Sequence, residues 1–480
     1  MRAPRPAARE GDAPVPPDGA RAALAARLWR HFRQRGIRFC VLGAPETGLG
    51  GDIDMVIDRP RGRALLREID DFARANGVAV VQALQHEWPA WYFVLAWQGA
   101  DGAPRYLHPD ICADYLRAAR HVLAAGEILA AVEDARDGAG QSLGYPVPAP
   151  ATAFAYYAVK KIAKGELADR HGAWLAETWR RDPDGARAAL ARFWTGDEVT
   201  LIARAAETGD WSAARGALPR LRRALVRRLP RSPAARAREG LRRLRRVLRP
   251  AGLTVAVLGP DGAGKTTLIE RLIPMLAPAF RRSRRFHFRP RVVASGRGRA
   301  PGPVEDPHAE PPRGALASTA KVALFVLDFL IGHAVAIWPL KLRSTLVVFD
   351  RYYHDLLADP ARYRYGAPRW LAALGGLLVP RPDLWIVLDA PPATVQARKS
   401  EVGAAETARQ RAAYRALARR LGPAVVVIDA GQPPDRVAAE AAQAVLDHLA
   451  ARFAKRLGRV PTAAPASDWD PDWSPGQPLD

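Results

Sequence analysis

Residues 259–267 combine residue types and a spacing that suit phosphate binding. They read Gly-Pro-Asp-Gly-Ala-Gly-Lys-Thr-Thr, after the apolar run 253–258 and before apolar residues at helical spacing. In such a strand–loop–helix unit, backbone N–H groups and the helix N-terminus attract phosphate oxygens. We therefore expect Lys265 to neutralise the β and γ phosphates of ATP and the Thr266 hydroxyl to ligate Mg²⁺, the alternative being a glycine-rich turn without a ligand. The residues expected to contact the nucleotide here are Gly259, Asp261, Gly262, Gly264, Lys265, Thr266 and Thr267.

A second candidate group follows a later apolar run. The run 346–349 predicts a strand that ends at Asp350. A carboxylate at the end of a strand beside the phosphate-loop strand is suited to hold the water shell of a metal, so Asp350 is a candidate metal residue. A short strand over 286–290 should bring Arg289 to the same sheet edge. Five short strands that alternate with helices predict an α/β fold with a parallel, doubly wound sheet.

Residues 252–458 resemble the thymidylate kinase family of P-loop kinases. The resemblance rests on the phosphate loop, Asp-Arg-Tyr at 350–352, Pro-Asp-Leu at 382–384 and Ile-Asp-Ala at 428–430. It implies a kinase that uses ATP and Mg²⁺, in which Asp261 contacts a sugar hydroxyl of the acceptor and Arg351 binds its phosphate. The further residues expected on this basis are Arg289 and Tyr352 at the acceptor, Arg398, Arg409 and Arg411 in a catalytic lid, and Ala430 and Gln432 beside the adenine.

The sequence departs from the family pattern in two places. Residues 287–290 read His-Phe-Arg-Pro where the family has Thr-Arg-Glu-Pro-Gly, and the lid lacks an Asp-Arg-Ile-Glu run. The fold and ATP use are still implied, but specificity for thymidylate is not. We expect a nucleotide or a phosphorylated sugar as acceptor. The layout of the whole chain is similar to that of chains from bacterial surface-polysaccharide gene clusters.

The N-terminal half has a second acidic motif. Acids alternate with apolar residues over 52–58, so Asp52 and Asp54 share one face of a predicted strand, and Asp110 follows on a later strand. Residues 20–120 resemble the α+β nucleotidyltransferase fold of the polymerase-β type, with Gly43-Ala44 as its Gly-small pair. The resemblance implies that Asp52, Asp54 and Asp110 hold Mg²⁺ around a nucleoside triphosphate. A degenerate domain kept as a scaffold is the alternative.

The pattern from 121 to 212 predicts a helical domain, and the resemblance to nucleotidyltransferases implies that this domain closes the N-terminal cleft. Its lysines at 160, 161 and 164 would either face a triphosphate or form a solvated helix face, and the second interpretation is favoured.

The net charge of +23 is concentrated in the predicted linker 213–251. Between Arg215 and Arg249 there are fourteen arginines and one acid, with leucines at helical intervals. These helices could contact an anionic membrane, but we favour an interdomain element whose leucines pack on neighbouring domains. Only eight basic residues in the chain are lysines, which points to a compositional bias, so no specific nucleic-acid partner is expected.

The remaining composition bounds the environment of the protein. Two cysteines are too few for a disulfide framework, and no apolar signal segment is present at the N-terminus, so we expect a cytoplasmic protein. The apolar run 322–340 contains Asp328, His333 and Pro339, which favours a buried helix over a membrane span. The oligomeric state is open, with a homodimer as one expectation.

The predicted domains are a disordered arm at 1–19, a nucleotidyltransferase-like domain at 20–120, a helical domain at 121–212, the linker at 213–251, the kinase at 252–458 and a disordered tail at 459–480.

Three functions fit these observations. The first is a kinase that phosphorylates a small phosphorylated acceptor. The second is an ATP-driven regulatory or polyanion-binding protein, which would release ADP and phosphate without a phosphorylated product. The third is a bifunctional protein with added nucleotidyl transfer, which would release pyrophosphate.

Overall fold

The computed structural model describes residues 19–42, 51–117, 119–137, 139–229, 232–293, 311–398 and 404–460. These residues form two compact units. The first contains 19–95, 106–243 and 455–460, and the second contains 96–105 and 244–454. The division falls inside the arginine-rich segment, between Arg243 and Leu244, rather than at its end. The N-terminal arm before Gly19, the Gly43-Ala44 pair and the tail beyond Val460 lie outside the described residues.

A six-stranded mixed sheet forms the N-terminal part. Its strands are β1 (Phe39–Val41), β2 (Ile53–Ile57), β3 (Ala79–Glu87), β4 (Ala90–Gln98), β5 (Pro104–Leu107) and β6 (Pro109–Cys112). Their order is β1-β2-β6-β4-β3, and β5 pairs with β4. Helices α1 (Gly19–Gln34) and α2 (Arg63–Ala75) belong to the same part of the chain. Strands β2 and β6 run parallel, with Asp54 directly opposite Asp110, so two of the predicted acids meet on neighbouring strands.

Two short antiparallel ribbons follow, and most of their strands lie after residue 120, where the sequence predicts helix. Their strands are β7 (Asp114–Arg117), β8 (Arg120–Ala124), β9 (Val132–Arg136) and β10 (Ser142–Pro148), with helix α3 (Ala125–Ile128) between the ribbons. The ribbons are the pairs β7–β8 and β9–β10. The prediction of a helical region from residue 121 was therefore wrong for its first part. Strand formation depends on pairing with a neighbour, which alanine-rich local composition does not reveal.

The helical region begins at Pro150. It contains α4 (Pro150–Lys164), α5 (Asp169–Arg181), α6 (Pro183–Leu190), α7 (Asp197–Thr208), α8 (Ser212–Gly216) and α9 (Leu218–Arg228). Leu221 and Leu225 of α9 are buried in the same core as Phe154 and Trp194. The first part of the arginine-rich segment therefore packs through its leucines on the helical region.

Helix α10 (Pro233–Leu248) has a different character from α9. Its leucines at 241, 244 and 248 are 47%, 54% and 68% exposed, and Ala235 is its buried residue. The expectation that the leucines of the segment pack on neighbouring domains therefore fits α9 and does not fit α10.

The second unit contains a five-stranded parallel sheet, which confirms the predicted fold of the C-terminal half. Its strands are β11 (Leu253–Leu258), β12 (Arg282–His287), β13 (Thr345–Asp350), β14 (Leu384–Asp389) and β15 (Val425–Asp429), in the order β12-β13-β11-β14-β15. All four neighbouring pairs are parallel, so the carboxyl ends of the strands share one edge. Strand β12 ends at His287, which leaves Arg289 beyond the strand rather than on it.

Helices surround this sheet. They are α11 (Lys265–Leu276), α12 (Ala315–Gly332), α13 (Trp338–Leu342), α14 (Asp355–Ala358), α15 (Arg369–Leu378), α16 (Pro392–Arg398), α17 (Ala404–Leu421) and α18 (Pro434–Leu457). Because α11 starts at Lys265 and β11 ends at Leu258, residues 259–264 form a loop between a buried strand and a helix.

The helical segment Ala315–Leu342 is long and apolar enough to cross a membrane, by length and composition alone. Its most apolar stretch has a mean hydropathy of 1.9 and is 39% buried. Phe325 and Phe329 belong to the core, whereas Leu327 and Val335 are 46% and 57% exposed. The expectation of a buried helix therefore holds for one face of this segment.

Candidate active site

The phosphate loop adopts backbone angles that only glycine accepts without strain. Gly259, Gly262 and Gly264 have φ values of 150°, 78° and 89°. A Cβ atom at Gly259 would also lie 2.9 Å from the carbonyl oxygen of Leu388. The glycines therefore let the loop curl tightly against β14 and turn its N–H groups inward.

Lys265 is buried in this loop. Its Nζ donates to the carbonyl oxygens of Gly259 and Pro260, at 2.8 and 2.7 Å, and the side chain is 7% exposed. Burial, and next the charge of Arg351, lower the pKa of Lys265 to about 8. Thr266 and Thr267 follow on the first turn of α11 and are exposed. The lysine predicted to meet the phosphates is thus held by the loop's own carbonyl groups.

Arg351 links the phosphate loop to the residues after β13. Its guanidinium group donates to Asp261 of the loop and to Asp355, the latter at 2.7 Å. Its φ of 70° is in the left-handed region, and its N–H donates to Val257 of β11. Arg351 is 4% exposed, so this cation is locked between two carboxylates.

Residues that the sequence analysis did not single out complete this group. Arg362 also binds Asp261, and the hydroxyl groups of Tyr363 and Tyr414 donate to Asp355, which is fully buried. Asp261, expected to contact a sugar hydroxyl, is therefore shared by two arginines. The spacing of Asp355 four residues after Arg351 is the sequence signal that could have revealed their ion pair.

Asp350 lies at the carboxyl end of β13 and is 5% exposed. Arg285 Nη2 lies 2.6 Å from its Oδ2, and His287 Nδ1 lies 3.7 Å from the same atom. Burial would raise the pKa of Asp350, but the hydrogen bonds from His287 and Arg285 hold it well below its usual range. Arg285 and His287 occupy alternate positions on β12, which could have indicated that both face one site. The carboxylate is thus kept ionised, as a metal-binding role requires.

Two residues expected at the acceptor have structural partners. Arg289 Nη1 lies 3.0 Å from Asp328 Oδ2, and Asp328 is fully buried. Tyr352 is buried against Phe329 and Trp385, and its hydroxyl donates to the carbonyl of Pro380. The prediction that Tyr352 contacts the acceptor is not supported by this orientation, because its polar atom points into the core.

The predicted lid arginines are spread over three different contacts. Arg398 donates to the carbonyl of Ala430 at 2.9 Å and lies beside Gly264 of the phosphate loop. Arg411 binds Asp389 through two hydrogen bonds, at 2.6 and 2.9 Å, and Arg409 binds Glu406. Of the three, Arg398 is the one that the structure places next to the phosphate loop.

The residues predicted beside the adenine follow β15. The N–H of Ala430 donates to the carbonyl of Asp389, and Gln432 Nε2 donates to the carbonyl of Asp429. They lie at the same sheet edge as the phosphate loop, because β11, β14 and β15 are parallel, although β14 separates the other two strands.

The acids of the first unit form a second polar cluster. Lys160 Nζ lies 2.6 Å from Asp54 Oδ2, Tyr92 donates to Asp52, and His86 Nε2 lies 3.4 Å from Asp110 Oδ1. Burial, and next the charge of Asp54, raise the pKa of Asp110 to about 8. The expectation that Lys160 belongs to a solvated helix face was wrong, since its side chain is 15% exposed and paired.

This cluster differs from the predicted metal centre. Among the residues that the structure describes, no group of three or more His, Cys, Asp and Glu side chains is placed to share a metal ion. The expectation that Asp52, Asp54 and Asp110 hold Mg²⁺ together stays a prediction. A lysine ammonium group is the cation that neutralises Asp54.

Comparison with known proteins gives relatives of the C-terminal half. No protein-family model matches the chain. It is 34% identical over 227 residues to the thymidylate kinase of Xanthomonas campestris pv. campestris, a match that covers 45% of this chain and 92% of that kinase. A probable thymidylate kinase of Pyrobaculum aerophilum is 30% identical over 209 residues, which are 40% of this chain and 95% of that protein. These matches cover the half of the chain that contains the phosphate loop, and they do not show the nucleotidyltransferase-like resemblance of the other half.

Proposed function

The C-terminal half of this chain belongs to the thymidylate kinase family and is a P-loop phosphotransferase, and from this premise we propose that it transfers the γ-phosphoryl group of ATP to a phosphorylated acceptor in a Mg²⁺-dependent reaction. The relatives support a nucleotide kinase role. A thymidylate-like nucleotide and a phosphorylated sugar are the two acceptor classes under this proposal.

The observation that supports the proposal is the contact of Arg351 with the phosphate loop. Its guanidinium group binds Asp261, which lies four residues before Lys265. A cation suited to an acceptor's phosphate therefore lies beside the lysine suited to ATP. Phosphoryl transfer depends chiefly on such positioning and on neutralisation of charge.

The chain's residues suit the bond changes of this reaction. An oxygen of the acceptor's phosphate attacks the γ phosphorus, the bond from that phosphorus to the β–γ bridging oxygen breaks, and ADP leaves with the electron pair. Lys265 and Arg398 would neutralise charge on the phosphates, and Arg351 would hold the attacking phosphate. Binding there requires Arg351 to exchange part of its contact with Asp261 for phosphate oxygens.

The donors for Mg²⁺ fit the ion. The Thr266 hydroxyl is exposed at the start of α11, and Asp350 is held ionised at the end of the neighbouring strand. Mg²⁺ prefers hard oxygen ligands and keeps several waters. Bound there, it would supply positive charge to the phosphates.

The acceptor's identity is the open part of the proposal. Residues 287–290 depart from the family's thymidylate-binding pattern, which favours an acceptor other than thymidylate. A phosphorylated sugar used in surface-polysaccharide synthesis is the candidate that the layout of the chain suggests.

A panel experiment tests the proposal. The full chain is incubated with ATP, Mg²⁺ and, separately, nucleoside monophosphates and sugar phosphates, and products are identified by mass. A gain of one phosphoryl group on an acceptor, absent in Lys265→Met and retained in the exposed-site control Arg343→Gln, supports the kinase. ADP and phosphate without any phosphorylated acceptor would contradict it and favour an ATP-driven regulator or polyanion-binding protein.

Nucleotidyl transfer by the first unit is the second candidate function. What favours it is the pairing of Asp54 with Asp110 across β2 and β6, next to Lys160. The same panel tests it through pyrophosphate release with Mg²⁺ or Mn²⁺. Release that persists in Lys265→Met and is lost in Asp54→Asn would assign it to this unit.

A further inference from the structure

Four cations gather beside the proposed acceptor site. Lys321 of α12 is half-buried, and its Nζ donates to the carbonyl of Tyr363 at 2.9 Å. The charges that act most on its ammonium group are those of Arg313, Arg364 and Arg289, all of them positive. The backbone N–H of Arg313 donates to the carbonyl of Arg364, which ties the two arginine-bearing segments together.

An aromatic ring forms the floor of this cluster. The Lys321 ammonium and the Arg289 guanidinium group each lie 5.5 Å from the centre of the Phe325 ring. Phe288 packs edge-on against Phe325, with ring centres 5.0 Å apart, and at a tilt against Tyr363, with ring centres 4.7 Å apart. Two of the four cations, Lys321 and Arg289, therefore lie over the same buried ring.

Tyr363 connects the cluster to Arg351, the residue proposed to bind the acceptor's phosphate. The hydroxyl of Tyr363 lies 2.8 Å from Asp355 Oδ2, the same atom that Arg351 Nη1 contacts at 2.7 Å. The carbonyl of Tyr363 accepts from Lys321. One tyrosine therefore spans the distance between the cation expected to bind the acceptor's phosphate and the second group of cations.

One cation of the cluster has its charge neutralised by a buried carboxylate. Asp328 neutralises Arg289, and it also accepts hydrogen bonds from the N–H groups of Val292 and Val293. No carboxylate is among the main electrostatic neighbours of Lys321 in the described residues. Burial, and next the three arginines, lower the pKa of Lys321 to about 8, because both make its charged form less favourable.

We propose that the acceptor carries a second anionic group, a phosphate or a carboxylate, which binds to Lys321 and its neighbouring arginines while the reacting phosphate is held by Arg351. This inference rests on the proposed kinase function and narrows its substrate to a doubly anionic molecule. A charge-assisted hydrogen bond to each oxygen of the second group supplies the attraction. Among these arginines, Arg289 is held beside the Phe325 ring by its ion pair with Asp328.

The test uses pairs of probes that differ by one phosphate. Thymidine 5′-monophosphate is compared with thymidine 3′,5′-bisphosphate, and glucose 6-phosphate with glucose 1,6-bisphosphate, each by calorimetric titration and by turnover with ATP and Mg²⁺. In at least one pair the bisphosphate should bind about tenfold more tightly or better, which is the effect of one charged hydrogen bond. Lys321→Gln should bring the ratio of affinities close to one and leave the KM for ATP unchanged.

Matched variants separate charge from folding. Lys455→Gln removes the same charge from an exposed position on α18 and should keep the preference. Lys321→Arg should retain most of the preference for the bisphosphate. Arg313→Gln should weaken this preference while its melting temperature stays that of the wild type. A structural role of Lys321 alone would change the melting temperature and affect both members of a pair equally.

The outcomes for the two proposals are distinct. Tighter binding of a bisphosphate without phosphorylated product would support the anionic subsite and count against the kinase function. Phosphorylated product with equal affinity for both members of every pair, or a preference that survives in Lys321→Gln, would overturn the subsite. Failure to bind either member of every pair would overturn it as well.

Discussion

Arg351 and Asp261 form an ion pair that joins the residue after β13 to the middle of the phosphate loop. The same arginine binds the fully buried Asp355, so one side chain bridges the two halves of the proposed active site. Its φ lies in the left-handed region, and its backbone N–H donates to the carbonyl oxygen of Val257 in β11. Because both partners are carboxylates, a phosphate must compete with Asp261 for the guanidinium group.

Arg351→Lys should therefore lower acceptor phosphorylation by at least about two orders of magnitude, the scale of a lost preorganised donor. The lysine keeps the charge near Asp355 but loses the planar fork that binds phosphate through two N–H groups. ATP binding should change little, since Lys265 is intact. Turnover and calorimetric titration of ATP and acceptor measure both effects. Normal acceptor affinity in this variant would contradict the assignment.

Lys265→Met should abolish ATP turnover and also change the pH dependence of stability. The pKa of Lys265 in the folded protein is about 8, below its ordinary value of 10.5. Between these pH values the unfolded chain binds the additional proton, so this lysine makes the free energy of unfolding rise with pH. The variant should lose that part of the rise, whereas the exposed-site control Lys455→Met should keep it. Chemical denaturation between pH 7.5 and 10.5 measures the difference.

Gly259→Ala should destabilise the second unit by roughly 1–3 kcal/mol, because a side chain at this φ is strained. Its Cβ would also approach the Leu388 carbonyl to 2.9 Å and push β14 away from the loop. Gly314→Ala is the control, since a Cβ there meets no atom within 4 Å and φ is negative. Thermal melting of both variants tests the prediction, and an unchanged melting temperature in Gly259→Ala would refute it.

Asp110→Asn should make the stability of the first unit depend less on pH. The pKa of Asp110 is raised from 3.8 to about 8, so between these pH values the folded protein binds the additional proton and stability falls as pH rises. The asparagine cannot ionise, and the variant should become more stable than the wild type near pH 8. Denaturation at pH 5 and pH 8 tests this, with the exposed Asp184→Asn as control. A wild-type pH profile in Asp110→Asn would count against the burial of this carboxylate.

Helix α10 gives a prediction about membranes. Its exposed leucines and arginines form a basic amphipathic surface, which suits an anionic bilayer. Changing Arg236, Arg243, Arg245 and Arg249 to Gln should weaken binding to phosphatidylserine-containing vesicles by about two to three orders of magnitude, at about 1 kcal/mol for each arginine. Arg242 and Arg246 stay unchanged, because they donate to backbone carbonyls. If the wild type does not sediment with such vesicles at about 150 mM salt, the interdomain interpretation stands.

The sequence was most informative where one short segment determines its own geometry. The phosphate loop needs glycines at fixed positions and apolar flanks, and both are visible in residues 253–267. The central strands of the parallel sheet, β11, β13 and β14, were predictable for a similar reason, since they are buried and form continuous apolar runs, whereas β12 is largely exposed and polar.

What the sequence did not reveal depends on distant partners. The pairing of Lys160 with Asp54 joins residues 106 positions apart, and no periodicity in α4 distinguishes a paired lysine from a solvated one. Tyr352 follows Arg351 directly, yet its hydroxyl points to Pro380 in the core. Only the packing of β13 against its neighbours determines that the side chain of Arg351, and not that of Tyr352, faces the site.

The two hydrogen bonds from Lys265 to the carbonyl groups of Gly259 and Pro260 have a consequence for the affinity for ATP. A triphosphate competes with both carbonyl oxygens for the ammonium group. The free energy that the lysine contributes to binding is therefore the difference between its bonds to phosphate oxygens and the two bonds that it gives up, which is smaller than the strength of the new bonds alone.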